Sequence, residues 1–148
     1  MTPSRFERLR TDKKANEMKI PEKIRQIFDS APVHQLATSS CAGIPNVCNV
    51  GARYLWDEET IIIVDNYMKK TLSNVLENPV VAVLFRSEKE SYQIKGRCCY
   101  LDSGPLYEEA RKWMRSRGDK YPVKGALKIS VDEIFNSAGG PGAGDKIL

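Results

Sequence analysis

Two runs in this chain, Ile61–Val64 and Val80–Phe85, are apolar at every position. They limit the folds open to the chain more than any other feature. Each is short and bounded by polar or turn-forming residues, which reads as a strand rather than a buried helix. Side chains on a strand alternate between faces, so a run apolar throughout must be covered on both sides. Parallel sheets achieve this beneath crossover helices, but the chain shows no regular strand–helix–strand alternation. The predicted order is instead helix, three strands, short helix, two strands, helix, strand. That order fits a mainly β fold, a small six-stranded antiparallel barrel with flanking helices. Its outward face must then be covered by a helix or by a second copy of the chain, and the latter option predicts a homodimer.

The remaining elements follow from spacing. Pro21 suits the first turn of a helix, and Ile20, Ile24, Ile27 and Phe28 give it one apolar stripe. Val33–Thr38 reads as the first strand and Pro45–Trp56 as the second. In the second strand Cys48, Val50, Ala52, Tyr54 and Trp56 should share one face, with Asn49, Gly51 and Arg53 on the other. Thr60–Val64, Val80–Phe85, Tyr92–Leu101 and Gly125–Val131 complete the strands. Gly104–Arg117 reads as a helix with Leu106, Ala110, Trp113 and Met114 on its apolar stripe. Residues 1–19 are expected to form a flexible extension, 20–137 the folded domain and 138–148 a Gly-rich tail.

Composition narrows the function classes. A chain of 148 residues with 41% apolar and 28% charged residues is sized for one globular domain. No apolar stretch approaches the ~20 residues that span a bilayer. The charged N-terminus lacks the apolar core of a secretory signal, which points to a cytoplasmic protein and away from a membrane. The net charge of +4 is spread out, and the basic stretch Arg111–Lys120 suits one face of a helix, so nucleic acid is not a favoured partner. The four cysteines form no CxxC pair and His34 is the only histidine, so no metal site is expected.

The segment "NYMKKTLSNVLENPVV", residues 66–81, carries the densest group of functional residue types. Leu72, Val75 and Leu76 predict an inward stripe for a helix that Asn78-Pro79 must end. The helix then begins near Lys69–Thr71. Unpaired N–H groups and the helix dipole make a first turn attractive to an anion, and lysines there oppose the dipole unless an anion is present. Local pattern alone leaves two readings, a solvated helix start or a phosphate cradle.

Together with "LATSSCAGIPNVCNVGARY" and "YQIKGRCCYL", the stretch "NYMKKTLSNVLENPVVAV" resembles the FMN-binding split-barrel family, which includes pyridoxamine 5′-phosphate oxidase and small FMN-binding proteins. The resemblance spans roughly Ile20 to Val131. It implies a six-stranded split barrel, a homodimer and FMN as cofactor. It places Lys70 and Thr71, with Lys69 beside them, at the phosphate, and Asn49 at the phosphate or ribityl chain. Val50, Gly51 and Ala52 would line the ring by their backbone. Val64, Asp65 and Asn66 would follow its polar edge, Met68 its dimethylbenzene side, and Gln93 would reach across from the partner subunit. Tyr54, Trp56, Trp113 and Tyr121 are candidates for stacking near the ring, although Trp113 also suits the core. The oxidase holds its substrate with arginine and histidine and ends in a basic segment, whereas this chain ends in "SAGGPGAGDKIL". The expected function is therefore electron transfer or flavin-dependent reduction, with donor and acceptor unspecified. The alternatives are haem or a deazaflavin in the same cleft, or a non-redox binding or regulatory module.

Overall fold

Helix α1 (Glu22–Ser30) forms where its stripe predicts, with Pro21 as the capping residue and Ile24, Ile27 and Phe28 buried. The computed structural model describes residues 19–148, so nearly all of the expected N-terminal extension lies outside the described residues. After α1 come β1 (His34–Ser39), β2 (Pro45–Val50), β3 (Arg53–Asp57), β4 (Thr60–Asp65), α2 (Lys70–Glu77), β5 (Val80–Arg86), β6 (Ser91–Leu101), α3 (Pro105–Arg115) and β7 (Gly125–Asn136). The strands form one antiparallel sheet in the order β2-β1-β5-β6-β7-β4-β3.

The sheet has seven strands because the expected second strand is two. β2 pairs with β1, Val50 opposite His34, while β3 pairs with β4, Arg53 opposite Ile63. β2 and β3 are the two edges of the sheet, yet only Gly51 and Ala52 separate them in sequence. The sheet must therefore curl until its edges adjoin, which makes it a half-barrel. The N–H of Val64 donates to the Ala52 carbonyl at 2.9 Å, extending the β3–β4 ladder up to the seam. The break also corrects the expected shared face. Cys48 and Val50 belong to the core inside the curl, whereas Ala52 and Tyr54 pack into a second cluster under α3.

The inner core gathers Leu36, Ile61, Ile63, Val83, Ile94 and Ile129 with the apolar face of α1. On the other side of β4 and β7, Ile62, Val64 and Ala126 meet Ala110 and Met114 of α3. The two apolar runs thus differ in how they are covered. Both faces of β4 are buried, one by the half-barrel and one by α3. On β5, Val81, Val83 and Phe85 point inward, but Val80 and Leu84 remain 53% and 37% exposed.

Between β6 and β7 the register shifts at Lys95–Gly96, where a Cβ on Gly96 would lie 2.3 Å from the Ser130 carbonyl oxygen. A bulge with a bare backbone lets the long strands bend there. β7 extends to Asn136, and the Gly-rich tail turns back along it. The Ile134 and Asn136 N–H groups donate to Leu148 and Asp145, and Leu148 packs against the inner core. Helix α2 buries Thr71 and Val75, while Leu76, expected inward, is 67% exposed. The buried pair is four residues apart, so it fills the narrow inward stripe of a short helix and leaves Leu76 about 100° away.

Candidate functional site

A cavity of about 750 Å³ opens where the seam between β2 and β3 faces the end of β4, the start of α2 and the segment after α3. Its size suits a cofactor or small ligand, whose sites span about 300–1,000 Å³. Ten of the twelve residues expected in a site line it. Asn49, Val50, Gly51 and Ala52 form the seam wall, Val64, Asn66 and Met68 the wall after β4, and Lys69, Lys70 and Thr71 the helix end. Asp65 and Gln93 are not in the lining. Asp65 is completely buried beneath the loop, and Gln93 sits on β6 between Leu84 and Phe135.

The helix end has the features an anion would use. Lys69 precedes α2 as its cap residue, makes no side-chain capping bond, and no acidic residue occupies the first turn. The first-turn N–H groups and the positive dipole end therefore carry no internal counter-charge. Lys69 and Lys70 are exposed and Thr71 is buried. Thr71 Oγ1 accepts a bond from Asn46 Nδ2 at 3.1 Å and lies 3.4 Å from Cys48 Sγ. Asn46 is held in turn, because its amide also reaches Thr38 Oγ1 at 3.3 Å.

The seam supplies a flat approach. A Cβ added to Gly51 would meet no protein atom within 4 Å, so the missing side chain leaves open space. Asn49 is exposed on β2, where its Oδ1 accepts from Gln35 at 3.0 Å. Beyond β4, the Asn66 side chain ties the wall together. Its Oδ1 accepts the Val123 N–H at 3.2 Å, and its amide lies 3.7 Å from Met114 Sδ.

Several lining residues were not among those expected. Asn46 shares the period-two face of Cys48, a signal the sequence carried. Tyr67, Met114 and Arg117 also line the cavity, together with Trp113 and Tyr121 from the aromatic candidates. Trp113 is only partly buried. It packs 4.7 Å from Tyr54, and the Arg117 guanidinium lies 4.5 Å over its ring. Arg117 lies just past α3, and its reach into the cavity depends on how that helix docks, which spacing does not reveal. Trp56 is elsewhere, its indole N–H donating to Glu109 at 3.3 Å and its ring beneath Lys128.

A smaller cavity of about 200 Å³ adjoins at Gly51, Trp113 and Arg117, with Arg53 and Tyr54 in its walls. Burial, with the nearby Glu109 charge, pushes the Tyr54 hydroxyl up to about 12, and that oxygen has no partner among the described residues. Burial and the neighbouring Arg117 charge lower Arg53 from its ordinary value, and Asp29 opposes them. The four cysteines are all free thiols, with Cys98 buried and Cys99 exposed on opposite faces of β6.

Comparison with known proteins places this geometry. The family model described as pyridoxamine 5′-phosphate oxidase matches residues 20–138. An uncharacterised protein of Methanocaldococcus jannaschii is 38% identical over 115 residues, which cover 76% of this chain and 77% of that protein. Among solved structures, HupZ of Group A Streptococcus shares 27% identity and a TM-score of 0.74, with 84% of this chain and 99% of that one covered. An FMN-binding protein of Syntrophomonas wolfei shares 17% identity and a TM-score of 0.70, covering 92% and 99%. The haem storage protein HutZ of Vibrio cholerae shares 14% identity and a TM-score of 0.64, covering 82% and 98%. The last two, at low identity, speak to the fold alone. The chain belongs to the pyridoxamine 5′-phosphate oxidase family.

Proposed function

We propose that this protein is an FMN-binding flavoprotein that carries out electron transfer or flavin-dependent reduction as a homodimer. The observation that carries the reading is the pairing of an uncapped, acid-free helix start with an open seam inside one cavity. Lys69, Lys70 and Thr71 stand at the helix end, and Gly51 and Ala52 form the seam. Lys70, Thr71 and the first-turn N–H groups would hold the phosphate, and Asn49 the phosphate or ribityl chain. The backbone of Val50–Ala52 would lie along the ring, the backbone of Val64 and Asn66 along its polar edge, and Met68 beside its dimethylbenzene end. Gln93 would contribute from the partner subunit.

A bound flavin supplies hydride and one-electron chemistry that no side chain offers. The chain's own part is to neutralise the phosphate, orient the ring and keep water from one of its faces. Val47 on β2 and Val80 and Leu84 on β5 leave apolar surface open on the outer side of the sheet, on strands that α3 does not reach, which supports pairing with a second copy. Haem draws less support, because His34, the chain's only histidine, is fully buried in the core and absent from the cavity wall. A deazaflavin or a non-redox ligand remains the alternative occupant.

Purified protein tests the reading. Bound or added FMN should give a flavin absorbance spectrum shifted from that of free FMN, and anaerobic addition of reduced nicotinamide should bleach it if the protein is a reductase. A colourless protein that takes up no added FMN overturns the assignment.

A further inference from the structure

The residue at the end of β4, Asp65, has no exposure and stands outside the cavity wall, yet it bonds to the loop that carries the helix start. Its Oδ1 accepts the Met68 N–H at 2.9 Å, and its Oδ2 accepts the Tyr100 hydroxyl at 2.7 Å. Lys124 Nζ lies 3.9 Å from Oδ1 and donates to the Met68 carbonyl at 3.3 Å. Both peptide groups of Met68 are thereby fixed, one residue before the cap of α2. The Asp65 carbonyl also accepts the Lys124 N–H at 2.8 Å, which binds this cluster to the start of β7.

Tyr100 reaches the carboxylate because β7 makes room for it. Gly125 is paired with Asp65, and a Cβ there would lie 2.3 Å from the Tyr100 ring. Any larger residue at 125 would displace the phenol from Oδ2. Burial and the Asp65 bond raise the Tyr100 pKa from its ordinary value, so the hydroxyl keeps its proton and stays a donor. A buried carboxylate is costly unless its oxygens are satisfied, and here each has a short charge-assisted donor.

We propose that Asp65 is a positioning residue. Clamped by Tyr100 and Lys124, it sets the loop 66–69 so that the first turn of α2 presents Lys69, Lys70 and Thr71 to a phosphate. This inference rests on the flavin reading, but it assigns Asp65 a different part from that of a wall contact. The side chain acts on the phosphate end through Met68 and touches no ligand.

The test compares FMN with riboflavin, which lacks the phosphate, using the wild-type protein and the variants Tyr100→Phe, Asp65→Ala and Asp65→Asn. Tyr100→Phe removes one donor and leaves the cavity wall intact. It should weaken FMN binding roughly tenfold and change riboflavin binding less than about threefold, the size of one lost bond to a charged group. Asp65→Ala should lose more on the same FMN-selective pattern. Asp65→Asn keeps an acceptor for Met68 and a partner for Tyr100, so it should restore FMN affinity to within about threefold of wild type. If Asp65→Ala fails to fold, Tyr100→Phe carries the test alone. Equal losses for FMN and riboflavin, or none, overturn the positioning role while leaving the flavin reading intact. A wild-type protein that binds no FMN overturns the flavin reading itself and this inference with it.

Discussion

Asn46 Nδ2 donates to Thr71 Oγ1 at 3.1 Å, joining β2 to the start of α2. With its oxygen accepting there, the hydroxyl proton is left for Cys48 Sγ, 3.4 Å away, or for a ligand in the cavity. Thr71→Val keeps the shape and removes that donor, and Asn46 retains Thr38 as a partner. FMN affinity should fall roughly tenfold while riboflavin affinity stays within about threefold. Titration calorimetry with both ligands decides it, and equal effects on the two would contradict a phosphate contact.

Gly51 separates a seam residue from a space-filling one. Its backbone is not in the left-handed region and an added Cβ meets nothing, so Gly51→Val should fold with a melting temperature within a few degrees of wild type. Its side chain would occupy open cavity, and FMN binding should fall by more than roughly tenfold. Intact binding in a folded variant would move the ring elsewhere.

Trp113 provides an optical reporter. It lines the cavity, whereas Trp56 sits against Glu109 and Lys128. In a Trp56→Phe variant the remaining indole fluorescence should be strongly quenched on adding FMN. Emission that does not change while FMN binds would place the ring away from α3.

Much of this architecture was legible in the sequence, and the exceptions share a cause. Period two found the strands, and the Lys69–Thr71 and Asn78-Pro79 signals bracketed α2. Neither reveals where a strand changes partners, because Gly51–Ala52 is a break only once β2 and β3 lie at opposite edges of one curled sheet. Leu76 was misplaced because helical spacing marks a stripe without saying which edge of it docks. Arg117 joins the site through the docking of α3, and Asp65 bonds to Tyr100 and Met68 through contacts that are remote or hidden in sequence.

His34 gives the fold a pH dependence separate from any ligand. Its Nε2 lies 2.9 Å from the Phe28 carbonyl oxygen, and Nδ1 is buried without a partner among the described residues. Burial foremost, then the Arg53 charge, pushes its pKa from 6.5 down to about 4, against the bond to Phe28. The folded state therefore stays neutral where the unfolded chain takes up a proton. Stability from this group is complete above about pH 6.5, falls as pH drops toward about 4, and is lost by at most roughly 3 kcal/mol. His34→Gln should flatten that part of the pH profile in denaturant melts. A variant with the wild-type slope would assign the dependence to carboxylates.

Whether the start of α2 holds a flavin phosphate is decided by the double variant Lys70→Ala/Thr71→Ala. Equilibrium titrations with FMN and riboflavin, on wild type and variant, isolate the phosphate term. Wild type should prefer FMN strongly, and the variant should lose most of this preference, by roughly a hundredfold, while remaining folded. Equal FMN affinity in the two proteins would contradict it.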